Sequence, residues 1–518
     1  MAATIRVLLG SAGTGKTSRV LTLLDEAIER TGARPENVLF ASLTRAARKE
    51  AADRAGARWG ISADLLMKTF WFRTVHAVAY RAAAGDLLTD SADDRKWVAR
   101  VMGEHAPVLA KWDAARMSMA GRFGGGYYGQ AAIEAYESRK RIEGKVDFTD
   151  LLAAFAGVSF SPDGKVRRVS PRGDVPPGII VAAFDEHQDA SPLLDLCCRR
   201  IVDESLDLDE AIFAGDPNQS IYGFMGSSPN QLIQWTEQAT VVEQQDRTYR
   251  CPPAVVAAGE LVLKSTAAYR PRTMRPADRI GRVRVCLFDR VGEIVQASQG
   301  KVYILARCNF SLGRYQEELD RLRIPHAGIE SAGPSLKSFG TAALYSLQRG
   351  EAVSAAHFAA AVSLLPATLF TRGAKSRWRN PETATAWGAI APEQLIEAGG
   401  TQALVDEVAS GRWVLRVDGA PDWCDRAAAF GVEETLNPRV RTGTIHASKG
   451  MECDTVIVSA ECSRAARSSD SDEERRIAYV ALTRTKGDCV IVAEGETRME
   501  ALVQIADAET MAALAAVA

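Results

Sequence analysis

Apolar residues along this chain follow two rhythms. Short, nearly unbroken apolar runs occupy 4–9, 38–41, 179–184 and 211–214, and again 282–288, 301–306, 455–459 and 489–493. Runs of that length without polar alternation predict strands covered on both faces. Helical spacing follows Thr17 and Thr44 and recurs over 312–323. Strand and helix in alternation predict a parallel α/β architecture. Two stretches depart from it. Residues 76–145 are rich in Ala, Arg and Met at helical spacing, broken by Gly124-Gly125-Gly126-Tyr127-Tyr128-Gly129, which reads as a flexible loop. Residues 335–435 are again helical and Ala-rich, with Pro and Trp punctuation, and 500–518 reads as a packing helix.

At 518 residues the chain is too long for a single core. The simplest division is a first α/β core at 1–75 and 146–245, a helical insert at 76–145, a second core at 246–335 and 436–518, and a second insert at 336–435. The second α/β stretch is expected to open near Val241.

Composition alters this picture little. A formal net charge of −2 argues against a generally polybasic binder but leaves room for a groove lined locally with Arg. No apolar run approaches the roughly 18 residues of a membrane span, and no signal peptide is visible. The nine cysteines are scattered, with Cys197-Cys198 the one close pair and no C-x-x-C, so neither zinc nor a disulfide framework is expected. A reducing, cytoplasmic setting follows as the expectation.

The chemistry begins at Gly10-Ser11-Ala12-Gly13-Thr14-Gly15-Lys16-Thr17, directly after the first apolar run. Glycines let a backbone turn sharply and aim its N–H groups at polyphosphate oxygens. Lys16 offers a cation to the outer phosphates, and the Thr17 hydroxyl can ligate Mg²⁺. The run 179–184 ends in Asp185-Glu186-His187-Gln188-Asp189, where Asp185 suits Mg²⁺ and Glu186 suits a base that orients and deprotonates water. Gly215-Asp216-Pro217-Asn218-Gln219-Ser220-Ile221-Tyr222-Gly223-Phe224 follows another buried run, and Gln219 can sense a γ-phosphate with its amide. Three more segments stand out: Thr248-Tyr249-Arg250; Thr442 to Glu452, containing His446-Ala447-Ser448-Lys449-Gly450; and Glu473 to Arg484.

In order and wording these segments resemble a superfamily 1 DNA helicase of the UvrD/Rep type. Leu43-Thr44-Arg45-Ala46-Ala47-Arg48-Lys49-Glu50, Thr74-Val75-His76-Ala77-Val78-Ala79-Tyr80-Arg81 and Tyr136 to Leu152 resemble further segments of that family. The resemblance runs from residue 4 to about 493. It implies two RecA-like P-loop cores in tandem, using ATP and Mg²⁺ to move on single-stranded DNA and at single-strand/duplex junctions. It implies that Lys16 and Thr17 bind phosphate and Mg²⁺, Asp185 holds Mg²⁺, Glu186 is the catalytic base and Gln219 couples the γ-phosphate to the DNA groove. Tyr249 then stacks on the base, Glu452 lies near the ribose, and Arg250 and Arg484 reach the γ-phosphate from the second core. Thr44, Arg45, His76, Tyr222, Phe224 and His446 are the candidate DNA contacts.

The chain departs from the family's pattern in places. Nine residues precede Gly10, too few for the family's glutamine-containing adenine motif, which calls strict ATP preference into question. Met225 follows Phe224 where an Arg is usual, Leu43 stands where a Phe is common, and Ser18 follows Thr17 where an Arg is frequent. No strand-splitting hairpin is visible after Arg484.

Several residues carry a plainer reading. His187 is expected to pack against polar neighbours rather than bind metal. Tyr127 and Tyr128 are expected on a mobile surface loop. The acidic stretch 468–474 reads as a solvated loop leading into a helix. Alternative functions are a translocase that strips proteins from DNA without opening duplexes, the helicase subunit of a multi-chain helicase–nuclease complex, and a non-motor P-loop switch or kinase.

Overall fold

The computed structural model describes residues 3–42, 45–80, 86–89, 91–267, 269, 274–331, 333–467 and 471–507. Two six-stranded parallel sheets organise it. The first comprises β1 (Thr4–Gly10), β2 (Val38–Ser42), β3 (Trp71–Thr74), β4 (Val181–Phe184), β5 (Glu210–Gly215) and β6 (Val241–Gln245), in the order β6-β1-β5-β4-β2-β3. The second comprises β7 (Val283–Cys286), β8 (Val302–Ala306), β9 (His326–Gly328), β10 (Val440–Thr444), β11 (Cys453–Ser459) and β12 (Thr485–Val492), in the order β7-β12-β11-β8-β10-β9.

The apolar runs are strands because both faces of each sheet are covered. In the first sheet Val7, Leu39, Ala41, Ala182, Phe184, Ala211 and Phe213 enter one hydrophobic layer. Their chain neighbours Leu8, Val38, Phe40, Val181, Ala183, Ile212 and Ala214 enter the other. The second sheet does the same, with Tyr303, Leu305, Val456, Val458, Cys489 and Ile491 on one side and Val302, Ile304, Ile457, Val490 and Val492 on the other. In these central stretches neither face has room for polar residues, so alternation disappears from the sequence, whereas the edge strand β7 exposes Arg284.

The strand at Val241 does not open the second core. Arg6 to Gly10 pair in parallel with Val241 to Gln245, making β6 the edge of the first sheet. As an edge strand it alternates between half-buried and exposed residues, and that alternation separates it from the buried runs.

Between β3 and β4 lie helices Ala92–Met102, Val108–Met117 and Gly126–Glu143. Tyr127 and Tyr128 are not on a loop: they occupy the first turn of the last of these helices, exposed, with their rings 5.5 Å apart. Gly126 takes φ 67° and turns the chain into the helix, so part of the glycine run serves as a helix start. Asp147 and Asp150 form a capping box at helix Phe148–Ala156 and clamp two buried cations. Arg116 donates to both, and Lys140 Nζ lies 2.7 Å from each. Glu137, Asp147 and Asp150 stand close enough together to suggest a metal site, but these two cations already neutralise them. Between β9 and β10 a helical region packs around its own core of Trp378, Trp413, Phe358 and Leu404.

Candidate functional site

In parallel sheets ligands gather beyond the carboxyl ends of the strands. β1, β5 and β4 are adjacent and in register, with Leu9 opposite Gly215 and Phe184 opposite Phe213. The phosphate-loop segment, Asp216 and Asp185 therefore emerge side by side. The loop leads into helix Lys16–Thr31, whose N-terminal dipole end faces the same region. Gly15 takes φ 79° and Gly13 φ 72°. A Cβ at Gly13 would stand 2.4 Å from Arg250 Cβ, so glycine also permits the Thr248-Tyr249-Arg250 segment to approach. That approach is stitched by Thr248 Oγ1 donating to Ala12 O and Tyr249 N donating to Gly13 O, both at 2.8 Å.

Lys16 is buried and its Nζ donates to Gly10 O at 2.9 Å, inside the loop it serves. Thr17 Oγ1 donates to Asp185 Oδ2 at 2.8 Å, which sets a hydroxyl and a carboxylate side by side, the oxygen donors a hard cation takes. Glu186 holds φ 56°, one of three non-glycine residues with positive φ among those described. Such a conformation costs about 1–2 kcal/mol and persists only where surroundings fix it. Here Glu186 N donates to Asp185 Oδ1 and Gln188 Nε2 donates to Glu186 Oε2 at 2.6 Å. Burial raises the Asp185 carboxyl above its ordinary range, and the Glu186 charge adds to this. Burial pushes Glu186 upward too, but Lys16, Lys449, the Gln188 hydrogen bond and Arg484 outweigh it and hold Glu186 below its usual value.

A cleft of about 380 Å³ is lined by Gly13 to Thr17, Asp185, Glu186, Gln219, Tyr249, Arg250, Glu452 and Arg484. The first core supplies one wall. The second supplies Glu452, just before β11, and Arg484, just before β12, where Cys453 pairs with Thr485. Arg484 is buried. It follows helix Ser471–Leu482, is 1% exposed, and donates through Nε to Val480 O at 2.8 Å. Its Nη2 has no hydrogen-bond partner among the described residues. Burial, with Arg250 nearby, draws its pKa down to about 10, so it remains cationic at neutral pH. Arg250 Nε donates to Glu452 Oε2 at 3.1 Å, and Lys486 also pairs with Glu452. Tyr249 is 62% exposed at the mouth, with the Arg247 guanidinium 5.6 Å from its ring. Gln219 turns its amide to Asp216 Oδ2 at 2.9 Å.

Of the candidate DNA contacts, Tyr222, Phe224 and His446 come together. Their rings lie 5.4–6.1 Å apart, with Phe224 and Met225 exposed. His76 is engaged elsewhere, edge-on to Phe148 at 6.2 Å, and burial lowers its pKa. Thr44 lies outside the described residues, as does the Arg45 side chain. His187 packs against a polar neighbour. Its Nε2 is 2.8 Å from Asp195 Oδ1, which also accepts from Trp235 Nε1 at 2.6 Å.

Two residues lie in segments that stand out in the sequence, but the sequence names no partner for either. Lys449 meets Asp189 across the cleft. Glu473, in the acidic stretch that reads as solvated, accepts from Gly223 N at 2.8 Å, and its neighbour Glu474 pairs with Arg307. These acids belong to helix Ser471–Leu482 and are partly buried because each meets a donor.

Residues 2–95 and 128–240 match the UvrD/REP helicase N-terminal domain, and residues 431–494 match the UvrD-like helicase C-terminal domain. Together the matches span more than half of the chain. The chain is 25% identical, over an alignment of 555 positions, to the ATP-dependent DNA helicase UvrD2 of Mycobacterium tuberculosis and to that of Mycobacterium bovis. The alignment covers 92% of this chain and 75% of each relative. Among the described residues no helix is long and apolar enough to cross a membrane.

Proposed function

Because this chain belongs to the UvrD/REP family of DNA helicases, we propose that it is an ATP-driven motor that tracks along single-stranded DNA in the 3′ to 5′ direction and separates strands at junctions. The observation that carries this reading is the cleft itself: Lys16 stands on the wall of one core and Arg484 on the wall of the other. A triphosphate held between them ties the cores together, and its hydrolysis releases the tie.

In this reading the loop N–H groups and Lys16 bind the phosphates, and Tyr249 stacks on the base. Thr17 and Asp185 would hold Mg²⁺, which supplies charge stabilisation at the phosphate oxygens. Glu186, kept ionised by its surrounding cations, accepts the proton of the water that attacks the γ-phosphorus. The bond to the β–γ bridging oxygen breaks, and ADP departs. Arg484 and Arg250 stabilise the charge spread over the transferring group. Arg250 exchanges its Glu452 partner for phosphate in doing so. Tyr222, Phe224 and His446 face the DNA, where rings stack on bases without regard to sequence.

The test is steady-state ATPase with and without single-stranded DNA, for the wild type and Lys16→Ala, together with unwinding of duplexes bearing a 3′ or a 5′ tail. Strong DNA stimulation, its loss in the variant and preference for the 3′ tail are expected. Preference for the 5′ tail overturns the polarity. Exposed Met225 beside Phe224 offers DNA no cation, which favours a second reading as a translocase that displaces bound proteins. Protein displacement without unwinding on either tail selects it. Comparable turnover of GTP in the same assay supports permissive use of nucleotide.

A further inference from the structure

Five consecutive residues of the first core, 219–223, are held by the second. Lys449 Nζ donates to Gln219 O at 2.5 Å, and Arg476 Nε donates to Ser220 O at 2.8 Å. His446 Nε2 bonds Ile221 O at 3.1 Å, Tyr222 Oη donates to His446 O at 3.3 Å, and Gly223 N donates to Glu473. The Ile221 side chain is fully buried in the hydrophobic layer of the second core, with Val458, Ile477 and Val480. A strap of the first core is therefore seated in its neighbour.

Of these second-core groups, Lys449 also reaches the loop that carries Glu186. Its Nζ lies 2.5 Å from Asp189 Oδ2 and 5.1 Å from the Tyr222 ring centre. Both partners of the ion pair are 9% exposed. A carboxylate buried to that degree needs a cation, and losing the partner leaves an uncompensated charge that the loop must move to hydrate. That loop carries Glu186 in its positive-φ conformation, three residues before Asp189. One ammonium thus joins the loop bearing the base to the backbone of Gln219, and it comes from the opposite wall.

We propose that Lys449 is a positioning residue for ATP hydrolysis. By bridging Asp189 and Gln219 O it fixes Glu186 and Gln219 in place only while the second core is docked, so turnover is gated by closure of the cleft. The inference rests on the assignment of Glu186 as the base. Lys449 also lines the cleft, but its ammonium is committed to Asp189 and Gln219 O, so in this proposal it acts through them rather than as a nucleotide ligand.

The experiment measures DNA-stimulated ATPase and binding of a fluorescent ATP analogue for full-length Lys449→Met, Lys449→Arg, Asp189→Asn, the Asp189→Asn/Lys449→Met double variant and Glu186→Gln. Lys449→Met and Asp189→Asn are expected each to lower kcat about tenfold or more, with KM and analogue affinity changed less than about threefold. The double variant should be no slower than Lys449→Met, because the two residues act as one unit. Lys449→Arg, which keeps the charge, should recover part of the loss. A distance probe with one dye on each core should report a wider cleft in Lys449→Met without nucleotide. A kcat for Lys449→Met within about twofold of wild type overturns the proposal. So do losses that multiply in the double variant, or a tenfold weaker analogue affinity, which would make Lys449 a nucleotide ligand. Should Lys449→Met fail to fold, Asp189→Asn against Lys449→Arg decides by the same criteria. An active Glu186→Gln instead removes the assignment of the base, while an inactive Glu186→Gln beside a normal Lys449→Met removes this inference alone.

Discussion

Thr17 Oγ1 donates a 2.8 Å hydrogen bond to Asp185 Oδ2, joining the start of the first helix to the end of a strand two positions away in the sheet. Replacing either oxygen removes half of a donor pair suited to Mg²⁺. Thr17→Ala and Asp185→Asn are expected to reduce ATP turnover about a hundredfold and to move its Mg²⁺ dependence to higher concentration. A magnesium titration of the ATPase checks this.

Arg484 is buried, and its Nη2 finds no partner among the described residues. Arg484→Ala is expected to cost about 10³-fold in kcat, the scale of an arginine that stabilises phosphoryl transfer. Arg484→Lys should recover little, since an ammonium cannot reproduce the planar fork that also holds Val480 O. Single-turnover hydrolysis measured beside analogue binding separates loss of chemistry from loss of affinity.

Phe224 is largely exposed and stands 5.4 Å from the His446 ring. Phe224→Ala should leave the fold and the DNA-free ATPase intact. It should weaken single-stranded DNA by about 1–3 kcal/mol, roughly 5- to 150-fold in Kd. Fluorescence anisotropy with labelled oligonucleotides measures it.

The His446 imidazole is drawn down to about 4 by burial, with Arg307 and Lys449 contributing, from an ordinary 6.5. Between those values the unfolded chain binds a proton that the folded one refuses. Its contribution to stability is therefore present above pH 6.5 and is lost as pH falls toward 4. NMR titration should place the His446 midpoint near 4, and His446→Asn should show a flatter loss of stability over that acid window.

Asp195 accepts from His187, Trp235 and Arg199. Asp195→Ala strands the buried indole N–H and the imidazole, and is expected to cost about 2–4 kcal/mol in thermal unfolding. Added zinc should not stabilise the protein, since His187 is committed to this carboxylate.

What the sequence discloses and what it conceals have physical causes. Strands such as β4 and β5 are legible because burial on both faces leaves no polar alternation. β6 is not, because an edge strand carries Glu243 and Gln245 among its valines and its parallel partner β1 lies more than 230 residues earlier. The glycines before Tyr127 signal a break but not that a helix starts within it. The acids at 472–474 look solvated because charge in a sequence does not name its partner. Gly223 N and Arg307, which meet Glu473 and Glu474, lie about 250 and 167 positions away. Lys449 is concealed for the same reason: residues 445–452 show its spacing but not the acid that it meets.

The burial of Ile221 among the apolar side chains of the neighbouring core decides what kind of machine the two halves can make. Drawing that side chain into water would forfeit about 1.5–3 kcal/mol before any other contact broke. Swivelling around it keeps that burial and strains only the polar contacts that flank it. The isoleucine is a peg in a socket, and any relative movement of the two halves that keeps it seated is cheaper than one that pulls it out.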